Sequence, residues 1–145
     1  DLVEDQTFDT IIYIDVLEHI EHSKEEIEKI KKILNPHGHL IIFVPAYQYL
    51  YNAFHERIGH FRRYNKSLLR NEVNTLLMEK ELFYLDSCGV MASLANKLVL
   101  KKSEINVAQV KFWDRFLVRI SKISDVLFFR QFGKSLIGVY QKEHL

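Results

Sequence analysis

The chain of 145 residues holds one cysteine, two prolines and five glycines, and each shortage removes a class of protein. A lone Cys88 forms no internal disulfide, which excludes a cystine-stapled scaffold and leads us to expect a reducing, cytoplasmic setting. Gly38, Gly59, Gly89, Gly133 and Gly138 stand singly, so no glycine-rich turn follows a strand and the usual backbone cradle for a nucleotide-like cofactor is missing. No apolar run approaches the roughly 20 residues of a spanning helix, so neither a membrane span nor a signal peptide is expected. A net charge of +1 and the lack of any basic stripe argue against nucleic acid as a partner. There is no G-x-S-x-G, hence no nucleophile elbow. His55-Glu56 is followed by His60, one residue too far for an H-E-x-x-H pair on one helical face, and His19 and His22 are three apart, so no metal is expected.

What is present is concentrated between Phe8 and Pro45. With 48% hydrophobic residues the chain can bury one core. Phe8–Ile14 is β-branched, aromatic and almost continuously apolar, the pattern of a central strand buried on both faces. Ser23 and Glu26 have capping-box spacing and open a helix whose Ile27, Ile30, Ile33 and Leu34 share a face. Glu25 to Lys29 and Glu28 to Lys32 add acid-before-base pairs one turn apart. Asn35-Pro36-His37-Gly38 is turn chemistry, and Leu40–Val44 is a second buried strand closed by Pro45. Strand, helix and strand in that order predict a parallel pair with a right-handed crossover. Ligands of such sheets lie beyond the carboxyl ends of the strands, which nominates the segments Asp15–His22 and Pro45–Tyr64. The first carries Asp15, Glu18, His19 and His22. The second carries Tyr47, Tyr49, Tyr51, His55, Glu56, His60, Arg62, Arg63 and Tyr64. One of the two arginines is expected in a structural ion pair, for example with Glu56 or Glu18, the tyrosines at 47, 49 and 51 in an extended segment over the core, and Asp15 either at a cap or in the site.

Farther on, Asn65 or Ser67 can cap a helix with Leu69, Val73, Leu76 and Leu77 on one face, ending near Glu79. Glu81–Ser87 reads as a strand, and Gly89 precedes a small-residue helix through Ala92, Ala95 and Leu98. Lys101–Glu104 reads as a loop. Val107–Ser124 reads as an amphipathic helix with Val107, Val110, Trp113, Phe116, Leu117 and Ile120 on its apolar face. We read that face as packing on the sheet in preference to a membrane or lipid-linked substrate docking along 107–132. Ser135–Tyr140 is a last strand.

The run Phe8-Asp9-Thr10-Ile11-Ile12-Tyr13-Ile14-Asp15-Val16-Leu17-Glu18-His19-Ile20, then Leu34–Ile42, Gly59-His60-Phe61-Arg62-Arg63-Tyr64 and Gly133–Val139, resembles the class I S-adenosylmethionine-dependent methyltransferases, in particular the group found alongside glycosyltransferases. The resemblance covers nearly the whole chain in order, but only the carboxyl-terminal part of that fold: strands four to seven with flanking helices, the last strand antiparallel. It implies a single partial domain over 1–145, without the amino-terminal cofactor-binding half. S-adenosylmethionine is the implied cofactor, with Asp1, Asp15, Val16, Leu17, Glu18 and His19 on its side of the site. Tyr49, His55, His60, Arg62, Arg63 and Tyr64 correspond to the loop that covers a small-molecule acceptor, plausibly a saccharide or a nucleotide-linked or lipid-linked sugar. An acceptor hydroxyl needs a base, for which His60 and then His19 have suitable chemistry, while Arg62 and Arg63 suit a phosphate or carboxylate. The alternative is a non-catalytic remnant or binding module that offers its exposed strand edge to a partner chain or a second copy.

Overall fold

In the computed structural model, residues 6–73, 75–95, 118–127 and 129–143 are described. They form β1 (Phe8–Ile14), α1 (Ser23–Ile33), β2 (Leu34–Pro45), α2 (Ala53–Arg57), α3 (Lys66–Val73), β3 (Met78–Leu85), α4 (Ser87–Ala95), α5 (Val118–Leu127) and β4 (Ser135–Gln141). The sheet order is β1-β2-β4-β3. β1 and β2 are parallel, with Ile12 opposite Ile41 and Ile14 opposite Phe43, as the crossover requires. β4 enters between β2 and β3 and is antiparallel to both.

The core lies on one face of this sheet. Leu40, Ile42 and Val44 of β2 and Leu136 and Tyr140 of β4 point to it, against Ile27 and Ile30 of α1 and Leu69 and Val73 of α3. Each such side chain contributes about 1.5–3 kcal/mol by leaving water. On the opposite face Ile12, Ile41 and Val139 form one row and Ile14, Phe43, Ile137 and Phe83 the next. The β2 and β4 members of these rows are half-buried. At the β1 end the rows are bare: Ile12 is 56% and Ile14 62% exposed. β1 is thus an edge strand with one covered face, not the central, doubly buried strand its composition predicts.

Several boundaries differ from the sequence expectation for identifiable reasons. The α1 N-cap is His22, without a side-chain cap bond, because Ser23 Oγ is buried and accepts instead from Arg62 Nη1 at 2.8 Å. Glu26, the other half of the expected capping box, accepts from the Tyr13 hydroxyl at 2.8 Å. Asn65 does cap α3, its Oδ1 accepting from the Leu68 amide at 2.8 Å. That helix nevertheless stops at Val73, whose carbonyl accepts from the amides of both Leu76 and Leu77 in a tight turn. β3 then starts at Met78, earlier than expected. α4 opens at Ser87, before Gly89, because Asp86 accepts from the Gly89 amide at 2.9 Å. In α5 the buried positions are Ser121 and Asp125, while Ile120, Ile123, Val126 and Leu127 are exposed. Asp125 accepts from the amides of Asp86 and Ser87, and Ser121 donates to Asp86, so the polar face of this helix docks and the apolar face does not. The expectations for Asp1, Leu98, Lys101–Glu104 and 107–117 lie outside the described residues. Among the described residues no helix is long and apolar enough to cross a membrane.

Candidate active site

Both nominated segments emerge at the same end of the sheet, and main-chain bonds clasp them together. After β1, Asp15 turns the chain with φ 50° and a short 3-10 turn, Leu17–His19, follows. After β2, the chain passes Tyr47 at φ 64° into a 3-10 turn, Gln48–Leu50, so the three tyrosines are not one extended segment. Tyr47 instead stacks between Tyr49 and Tyr84, with ring centroids 5.1 Å away on either side. α2 is closed by a capping box in which Asn52 accepts from the amides of Phe54 and His55 while its own amide donates to His55 Nδ1. Gly59 sits at φ 82°, a conformation glycine adopts freely, and returns the chain toward β1. There the Phe61 amide donates to the Glu18 carbonyl at 2.8 Å, and a bridge pairs Ala46 with Tyr64.

The clasp brings Glu18, His19 and His60 into one cluster. Glu18 is fully buried, its Oε1 lies 3.9 Å from His60 Nε2, and neither carboxylate oxygen has a hydrogen-bond partner among the described residues. Burial pushes its pKa up to about 7, with the charge of Asp15 acting in the same direction. His19 and His60 meet edge to face at 4.4 Å, and His19 Nδ1 is 3.2 Å from the Gly59 carbonyl. Burial lowers the pKa of His60, helped by His19 and Arg63, so a neutral imidazole faces a carboxyl group on the point of ionising. His55 adjoins His60 at 5.4 Å. Burial and then Arg63 push its pKa down to about 4.

The other nominated residues serve the scaffold more than the cleft. Arg62 donates to Ser23 Oγ and to the Glu21 carbonyl, and it pairs with Glu72 at 3.5 Å. Arg62 thus makes the expected structural ion pair, with Glu72 in place of Glu56 or Glu18, because the loop folds back over α1 toward α3. Arg63 is 3% exposed, and its guanidinium is taken up by the carbonyls of Ala46 and Lys134 and by His55 Nε2. Tyr64 is buried with its hydroxyl on the Leu17 carbonyl, and Leu17 itself belongs to the core. Asp15, Val16 and Tyr49 remain exposed at the rim. The sequence reading gave no role at the site to Lys134, Gln48 or Ser23. Lys134 and Gln48 offer, respectively, a backbone acceptor to Arg63 and a side-chain acceptor for its amide, and neither contact has a local sequence signature.

A mixed α/β sheet with this strand order, and polar side chains gathered beyond its parallel strands, defines a Rossmann-like fold. Residues 1–83 match the family described as "Methyltransferase domain", and the chain belongs to this family, within the class I S-adenosylmethionine-dependent methyltransferases. S-adenosylmethionine is the cofactor of that class. No curated protein sequence matches. Among solved structures, the chain is similar to a Haloferax volcanii protein described as a methyltransferase in complex with the Trm112 activator, at 16% identity and a TM-score of 0.58, covering 97% of this chain and 56% of that one. It is also similar to phosphoethanolamine N-methyltransferase 2 of Haemonchus contortus in complex with S-adenosyl-L-methionine, at 13% identity and a TM-score of 0.54, covering 94% and 34%. A Galdieria sulphuraria protein described as a sarcosine dimethylglycine methyltransferase gives 17% identity and a TM-score of 0.54, covering 97% and 55%. These likenesses establish the fold, and the chain spans about half or less of the length of each of the three.

Proposed function

We propose that this chain forms the acceptor side of an S-adenosylmethionine-dependent methyltransferase acting on an oxygen or nitrogen of a small molecule, with a saccharide hydroxyl as the favoured acceptor. The observation that carries the reading is the meeting of Glu18, His19 and His60, from two separate connections, beyond the carboxyl ends of adjacent parallel strands. When bound, the cofactor supplies a sulfonium methyl that is already electrophilic, so the protein mainly has to align the acceptor, exclude water and remove a proton. His60 is the proton acceptor: it is neutral at physiological pH, and Glu18 behind it stabilises the imidazolium that forms. His19 orients the His60 ring from its edge. Arg63 positions the loop by gripping backbone on both sides of the rim.

The residues present fit only one side of the cofactor. Asp15 and Val16 are exposed where its methionine end would lie, whereas Leu17 and Glu18 are buried beneath them. With no glycine-rich turn in the chain, the rest of the cofactor pocket belongs to sequence outside it, and a full-length protein is the right reagent. Such a protein, given methyl-labelled cofactor and a panel of hydroxyl and amine acceptors that includes saccharides, is expected to label an acceptor. His60→Asn should lower the rate by about 10²–10⁴-fold, the span attributed to a positioned base. Failure to label any acceptor, or unchanged transfer in His60→Asn, overturns the proposal.

A further inference from the structure

We propose that Glu18, His19 and His60 form a binding site for a divalent transition-metal ion, with Zn²⁺ as the type. The expectation of no metal rested on sequence spacing, but the donors are supplied by two different connections that only the fold brings together. One ligand atom from each residue lies within 4.8 Å of the other two. Three atoms so placed lie at most about 2.8 Å from a common centre, so an inward shift of at most about 0.8 Å per ligand atom reaches the roughly 2.0–2.2 Å of zinc bonds to nitrogen and oxygen.

Glu18 supplies the second, independent observation. It is 0% exposed, and among the described residues neither of its oxygens has a hydrogen-bond partner, nor does the buried Nδ1 of His60. A buried carboxylate without donors is costly, and such a group is found protonated, paired or bound to a cation. The nearest guanidinium does not satisfy it, because the donors of Arg63 go to Ala46, Lys134 and His55. His19 adds a third argument. Its Nδ1 faces the Gly59 carbonyl, which can only accept, so Nδ1 carries the proton and Nε2 presents a lone pair. This is the outer-shell arrangement that fixes a metal-binding imidazole. Two imidazoles and one carboxylate suit zinc and its first-row neighbours better than magnesium or calcium, and three protein ligands leave a position open for a further oxygen.

The inference shares its site with the methyl-transfer reading and rests on it only for the purpose of the ion: while the ion holds His60 and Glu18 the imidazole is not free to take a proton, and the ion would replace that base by polarising an acceptor oxygen in the open position. Binding is therefore measured without cofactor or acceptor. A metal-stripped, tag-free chain titrated with CoCl₂ under visible absorption, and with ZnCl₂ by calorimetry, is expected to take up one ion and to melt at a higher temperature as the ion saturates. Glu18→Gln and His60→Asn should each bind at least about tenfold more weakly, and so should His19→Asn, whose side chain is exposed and whose loss leaves the core intact. A His37→Asn/His39→Asn control, at the opposite end of β2 from the cluster, should bind as the parent does. Absence of saturable one-to-one binding, or parent-like affinity in folded His19→Asn, overturns the site. An ion bound without methyl transfer by the full-length protein would instead count against the functional reading alone.

Discussion

Arg63 carries a positive charge into the interior, where burial lowers its pKa to about 10, and it is held there by two backbone carbonyls and an imidazole. A lysine has no planar fork and cannot meet all three. Arg63→Lys is therefore expected to cost about 2–4 kcal/mol, read as a lower urea midpoint at unchanged slope. The guanidinium of Arg63 can only donate, so His55 Nε2 holds the lone pair of a neutral ring, and a second proton there would have to displace that contact and stand beside a positive charge. The folded pKa of His55, about 4, lies below the unfolded value of 6.5, so between those limits the unfolded chain takes up the proton first. Stability should accordingly fall as pH drops from about 6.5 to about 4. His55→Gln should flatten that part of the melting-temperature profile, and an unchanged slope would exclude this origin. At this scale the sequence told which residues gather but not how they divide their work. Neighbours at 62 and 63 are both chemically fit for an acceptor anion, yet Arg62 is claimed by Ser23 and Glu72 and Arg63 by backbone, through contacts that span up to 71 residues.

The elements were most legible where local and tertiary demands coincide. In α1 the helical spacing of Ile27 and Ile30, the early acids and the late lysines all favour the same structure, and the same residues reach the core. α3 shows the opposite case: Leu76 and Leu77 continue the helical spacing, but the chain must turn to start β3, and periodicity cannot tell a buried turn from another helical turn. Its beginning is better specified. Asn65→Ala should lower stability by about 1 kcal/mol through the lost cap, measurable by denaturant titration. The approach of β4 is stricter. A Cβ on Gly133 would stand 2.1 Å from the Leu85 carbonyl oxygen, a backbone atom that can move only with the strand. Gly133→Ala is expected to break the β3–β4 pairing and leave little folded protein, as seen by circular dichroism and proteolysis. A variant that melts like the parent would exclude this account.

At the level of the whole molecule, the strands were composed for two covered faces and the described chain covers one. That mismatch is why β1 read as central and stands at an edge: its apolar run encodes a neighbour and an overlay that these residues do not provide. The missing glycine-rich turn carries the same message for the ligand. Calorimetry of this chain with S-adenosylmethionine should accordingly detect weak binding or none, and micromolar affinity would refute the partial-pocket account. The order in which the sheet is assembled has a further effect. β4 follows every other described strand yet lies between β2 and β3, so during synthesis no described strand joins those two until Ser135 and its successors leave the ribosome. A premature stop before that point would yield one truncated chain with two open hydrogen-bonding margins, material for proteases and aggregates rather than a slightly shortened protein.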